Sequence, residues 1–97
     1  MLRITIINTP GEQKWILQGR LIGPWAAELK SNWKRAHSEG NGRSCAVDMS
    51  EVTFIDTNGE KVLTKMMKDG AHFIVSGLYA THVIENLEAR SRSRSGK

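Results

Sequence analysis

The spacing between apolar residues switches repeatedly between two and roughly 3.6 along this chain, and that switching restricts the fold more than any other feature. Leu2, Ile4 and Ile6 alternate with Arg3 and Thr5, the period of a strand. Asn8-Thr9-Pro10-Gly11 has turn chemistry, because proline presets φ and glycine accepts positive φ. Trp15, Leu17, Gly19 and Leu21 then share one face of a second strand, with Lys14, Gln18 and Arg20 on the other. Strands joined by so short a turn pair as an antiparallel hairpin.

Gly23-Pro24 opens a first helix, where a proline in the first turn loses no hydrogen bond. Trp25, Leu29, Trp33 and Ala36 make its buried stripe, and Lys30, Lys34 and Arg35 lie off it. Gly40-Asn41-Gly42 ends the helix. Cys45 to Met49 is short and nearly all apolar, the pattern of a central strand covered on both faces. Val52 to Ile55 forms a second apolar patch. A second helix follows, buried through Val62, Leu63, Met66 and Met67 and ended by Gly70. Ala71 to Val75 reads as another strand, and Val83, Ile84 and Leu87 mark a third helix from Tyr79 to Glu88.

The order β-β-α-β-α-β-α implies an α/β fold: one mixed, mostly parallel sheet of about four strands with helices packed on it. Residues 1–88 make one domain. From residue 89 serine and arginine alternate without apolar residues, so residues 89–97 are expected to be a disordered basic tail.

Charge supports that division. Residues 90–97 hold Arg90, Arg92, Arg94 and Lys97, four of the 14 basic residues, and none of the 10 acidic ones. Residues 1–89 are therefore formally balanced, ten against ten. A nucleic-acid-binding domain needs positive charge on a folded face, so only the arm is left as a candidate contact with nucleic acid. The single cysteine, Cys45, excludes an internal disulfide and paired-thiol metal sites, and a reducing cytoplasm fits it best. The chain start has no secretory pattern, and no apolar run reaches membrane-spanning length.

The chemistry concentrates at Asp56-Thr57-Asn58-Gly59, between an apolar strand and a helix, because ligand sites of α/β sheets gather at the carboxyl ends of strands. A helix start offers unpaired N–H groups and partial positive charge to an anion, and Thr57 offers a hydroxyl for phosphate. The structural alternative is a capping box, with Thr57 capping the helix and Glu60 reaching back; Asn58 is an equally good cap. Asp48 and Asp56 at strand ends would make a carboxylate pair, although turn-capping aspartates are far commoner. His37, His72 and His82 lack metal-ligand spacing, and His72 is expected to be a hydrogen-bonded structural imidazole. No phosphate-cradling glycine loop, no Ser/His/Asp set and no cofactor motif is found, so the chain reads as a non-enzyme.

At this junction the sequence resembles the STAS domains, the family of bacterial anti-sigma factor antagonists, over residues 2–88. The resemblance lies in Gly19-Arg20-Leu21, in Trp25 and Leu29, and above all in Val47-Asp48-Met49-Ser50-Glu51-Val52-Thr53-Phe54-Ile55-Asp56-Thr57-Asn58-Gly59. The family pattern there is an apolar strand, Asp-Leu-Ser, a Val-x-Phe-x-Asp step, then Ser-Ser/Thr-Gly. It implies a STAS-like fold and a cytoplasmic interaction module in signal transduction. That module docks on an anti-sigma factor, usually a kinase of the histidine-kinase-like ATPase fold, and so frees a sigma factor for transcription. In the family, phosphorylation of the second hydroxyl residue after the Asp switches docking off, by adding charge at the interface.

This chain carries Asn58 at that position, which has no hydroxyl to phosphorylate, and Thr57 keeps the first hydroxyl only. Glu60 replaces a usual apolar residue, and the final strand and helix of many members are not expected. The resemblance thus implies a binding surface of Asp56, Thr57, Asn58, Gly59, Glu60, Lys61 and Lys65 without the serine switch. Its alternatives are regulation by phosphate on Thr57, a small ligand near Asp48, and service as the STAS subunit of a transport complex.

Overall fold

The computed structural model describes residues 1–38 and 44–95. Those residues form β1 (Leu2–Asn8), β2 (Glu12–Leu21), α1 (Gly23–Ser38), β3 (Ser44–Ile55), α2 (Thr57–Lys68), β4 (His72–Ile74) and α3 (Leu78–Ser95). The four strands make one sheet in the order β1-β2-β3-β4. β1 and β2 pair antiparallel, while β2–β3 and β3–β4 pair parallel. The mixed, mostly parallel sheet and its element order are those the apolar spacing implied. The glycine-rich stop at Gly40-Asn41-Gly42 lies outside the described residues.

The hairpin closes where its turn chemistry sits: Thr9 N donates to the Glu12 carbonyl at 2.8 Å, and Thr9 Oγ1 donates to the same oxygen at 3.0 Å. Trp15, Leu17 and Leu21 point to the helices and are fully buried. Trp15 meets Trp33 of α1 edge to face, with centroids 5.4 Å apart at 60°. Such a pair adds about 0.5–1.5 kcal/mol beyond the area it buries. Both indoles keep a polar partner: Trp15 Nε1 donates to Gln13 Oε1 at 2.8 Å, and Trp33 Nε1 to Asp69 Oδ2 at 2.8 Å.

β3 departs from the sequence expectation in two ways. The two apolar patches are a single twelve-residue strand, because the β2–β3 register slips twice. Ile16 and Gln18 face Asp48 and Glu51, and Gly19 and Arg20 face Val52 and Phe54, so β3 carries an extra residue at each slip. The inward positions are consequently Val47, Met49, Val52 and Ile55, with three-residue steps that hide the strand period. Gly19 beside these slips has φ 113°, and a Cβ there would strike the Met1 carbonyl. Second, β3 is not covered on both faces. One core cluster joins the inward side of the sheet to Leu29 and Trp33 of α1, Val62, Leu63 and Met66 of α2, and Ile84 and Leu87 of α3. On the other side Ile16 lines up with Thr5, Asp48 and Ile74, and Lys14 with Ile7, Ala46 and His72. Ile7 and Ile74 there are 46% and 41% exposed.

The third helix also differs. It runs to Ser95 and not to Glu88, so residues 89–95 are helical where a disordered arm was expected. Once a helix is nucleated each further residue adds a hydrogen bond, and arginine is a good helix former, so apolar spacing underestimates the length. Residues 96–97 lie outside the described residues. No helix among the described residues is long and apolar enough to cross a membrane.

Candidate functional site

The chain turns from β3 into α2 at Asp56, and this carboxylate organises the junction. Asp56 is the N-cap of α2, its Oδ1 accepting from Gly59 N at 2.8 Å. Its Oδ2 accepts from Gly23 N, at the start of α1, at 2.9 Å. One side chain thereby ties two helix N-termini together. Those backbone donors, Gly59 first and Gly23 next, hold its pKa below the ordinary carboxylate value. The capping box therefore does not form as the spacing suggested: the cap is Asp56, one residue before Thr57. Asp is at least as good an N-cap as Thr, and here it also reaches α1.

Gly59 follows from the same geometry. It is buried, and a Cβ on it would stand 2.5 Å from the Leu21 carbonyl and 2.9 Å from Ile55 Cγ2. Its place is against the ends of β2 and β3. Asp56 is occupied by two backbone donors, and the other residues of the expected binding surface differ in exposure. Thr57 and Asn58 are exposed, as are Lys61 and Lys65 one and two turns along α2. Glu60 is half-buried, with Oε1 3.9 Å from Arg90 Nη2 on α3. Arg90 had been assigned to a free tail, and the longer α3 brings it to the site.

Asp48 does not join this group. It lies in the middle of β3 on the open sheet face, where Oδ1 accepts from Ser50 N at 2.9 Å; that bond lowers its pKa, helped by Lys14. Eight residues of extended chain, roughly 26 Å, separate it from Asp56, so the two carboxylates share no cleft. Cys45 is half-buried and burial raises its pKa, the reverse of what a nucleophile needs. His72 and His82 are exposed, and no cluster of metal-binding side chains occurs among the described residues. Met66 is fully buried and Met67 half-buried, so α2 keeps both toward the core.

Two recesses flank the first turns of α2. A groove of about 410 Å3 lies between α1 and α2, bounded by Ala26, Ala27 and Lys30 on one side and Asn58, Lys61, Val62 and Lys65 on the other. A smaller one of about 290 Å3 lies toward α3, lined by Thr57, Glu60, Lys61, Thr64 and Lys68 of α2 and by Leu87 and Arg90 of α3. The contribution of α1 was not anticipated; its only sequence signal was that Lys30 falls off the buried stripe. Asp69 was missed as well. Its Oδ2 accepts from Trp33 Nε1 and lies 3.3 Å from Lys65 Nζ, fixing the far end of the groove.

Solved structures supply the comparison. An anti-sigma factor antagonist from Mycobacterium paratuberculosis matches with a TM-score of 0.78 at 16% identity, over 96% of this chain and 82% of its own. The anti-sigma factor antagonist SpoIIAA in its unphosphorylated form matches with a TM-score of 0.63 at 11% identity, over 89% of this chain and 98% of its own. Mglu matches with a TM-score of 0.59 at 15% identity over 77% of this chain, which spans 19% of the Mglu chain. No family model and no curated protein matches the sequence. The mixed sheet with its helices and these neighbours agree, and the chain has the STAS-like α/β fold found in anti-sigma factor antagonists.

Proposed function

We propose that this chain is a non-catalytic protein-interaction module of the anti-sigma factor antagonist type. It docks through the first turns of α2, with Thr57, Asn58, Glu60, Lys61 and Lys65 as the contact residues. One observation carries the reading: the junction is held rigid by Asp56, while Thr57 and Asn58 at its tip are exposed. A rigid scaffold that presents exposed polar residues at a strand-to-helix turn suits recognition. Asn58 replaces the hydroxyl residue of the family pattern, so docking is constitutive and not switched by a phosphoserine. The partner expected from the family likeness is an anti-sigma factor, a kinase of the histidine-kinase-like ATPase fold. The test is affinity capture from the source cell with the native chain, Asn58→Arg and Glu60→Lys, followed by identification of what is retained. The native chain should hold one stoichiometric protein that both variants lose. Equal recovery with all three removes this surface.

A second reading places regulation on Thr57. It is favoured by the recess toward α3, which the exposed Thr57 lines together with Glu60, Lys61 and Arg90. A phosphate on Thr57 would compete with Glu60 for Arg90, a local exchange of charge partners. Intact-mass measurement after incubation with a cognate kinase and ATP should show one added phosphate. Its persistence in Thr57→Val disproves the assignment.

A further inference from the structure

We propose that the groove between α1 and α2 receives an acidic amphipathic helix of the partner protein. This rests on the docking reading above and specifies the partner's chemistry. The floor of the groove is small and apolar. Ala26 is buried and Ala27 exposed on the α1 side, and Val62 is buried on the α2 side. Short side chains on α1 keep the two helices from filling the space between them, which leaves the trough of about 410 Å3.

The rim is cationic. Lys30 stands on α1, and Lys61 and Lys65 stand one turn apart on α2; all three are exposed. Residues at that helical spacing lie about 6 Å apart, the interval at which glutamates one turn apart on an incoming helix repeat. No acidic side chain lines the groove. Asp56 and Asp69, which cap the two ends of α2, are already engaged, Asp56 by two backbone donors and Asp69 by Trp33 and Lys65. Lys65 would exchange Asp69 for a partner carboxylate, whereas Lys30 and Lys61 supply the main attraction. Their aliphatic stems extend the apolar walls, so an occupant needs an apolar stripe between acidic rows. A helix laid in a groove is a recurrent recognition mode that demands that pattern.

The experiment uses the whole chain, labelled for amide NMR. The probe is a synthetic helical peptide with an alanine and leucine stripe between rows of glutamate, beside a twin carrying lysine in place of glutamate. The acidic peptide should move the amide signals of residues 26–30 and 58–65 and bind more weakly as salt rises. Lys30→Glu combined with Lys61→Glu should weaken it roughly tenfold or more and bind the lysine twin instead, a charge-swap rescue. Both lysines are exposed, and an unchanged melting curve verifies that the double variant folds. The proposal is overturned by equal binding of both peptides, by signals moving only on the open sheet face, or by no response up to about 1 mM peptide. Anionic lipid vesicles that bind the chain when the acidic peptide does not would also overturn it. Partner capture lost in Asn58→Arg but kept in the double lysine variant preserves the docking surface and sinks the acidic occupant.

Discussion

Asp56 shows how much one carboxylate does when it stands between two helices. Both oxygens accept backbone N–H bonds, from Gly59 of α2 and Gly23 of α1, so its loss frees two donors in two elements. Asp56→Ala should lower the melting temperature well beyond Thr57→Ala, which removes an exposed hydroxyl outside the cap and should shift it by no more than about 4 °C. A larger loss in the Thr57 variant would return the cap to Thr57. The pH dependence follows from the same bonds. A carboxylate whose folded pKa is lowered contributes stability above its unfolded value of about 3.9, and loses it as pH falls through the folded value. Chemical denaturation of Asp56→Asn between neutral pH and pH about 3 should therefore fall less steeply than that of the native chain. The sequence could not decide this cap, because Asp56, Thr57 and Asn58 are all good N-caps in a row; the choice is made by Gly23, thirty-three residues away. Gly59 is legible only in three dimensions too. Gly59→Ala places a methyl against the Leu21 carbonyl and should destabilise by about 1–3 kcal/mol, measurable by urea unfolding.

At the scale of elements, strands β1 and β2 and helices α1 and α2 were readable because each keeps one period from end to end. β3 was not, since two slips against β2 convert its inward spacing from two to three after Met49. The end of α3 was not, since nothing apolar marks residues 89–95. What completes β3 is likewise a tertiary effect. β4 pairs only with Ala46 to Asp48, and farther along Tyr79 of α3 supplies hydrogen bonds to β3. Tyr79 Oη accepts from Ile55 N at 2.8 Å and donates to Ile55 O at 3.2 Å, while its ring stacks on Phe54 at 6.3 Å. Tyr79→Phe keeps the stack and removes both bonds. The cost should be about 1 kcal/mol, with faster hydrogen exchange at the Ile55 amide. An unchanged exchange rate there would mean that water already serves that amide. Arg90 is a weaker tie: at 3.9 Å and mostly exposed, its pair with Glu60 should cost less than about 0.5 kcal/mol when Arg90→Ala removes it.

Over the whole molecule the sheet separates structure from exposure. Among the described residues every helix contributes to one core on one face, and the opposite face carries apolar residues without a helix above them. Stability should then depend on which side of a strand a residue occupies. Leu17 is fully buried against the helices, and Leu17→Ala should cost about 2–5 kcal/mol through lost burial and the cavity left behind. Ile74, on the open face of β4, is 41% exposed, and a serine there leaves no closed cavity. Ile74→Ser should cost less than about 1 kcal/mol. Urea unfolding of both variants decides the matter. If Ile74→Ser is nearly as damaging as Leu17→Ala, the open face is covered in solution. If the two differ as expected, the face is solvent-exposed in the free protein. Surface changes at Asn58, Lys30 and Lys61 can then be read as effects on binding, because the core that holds α1 and α2 in place lies wholly beneath them.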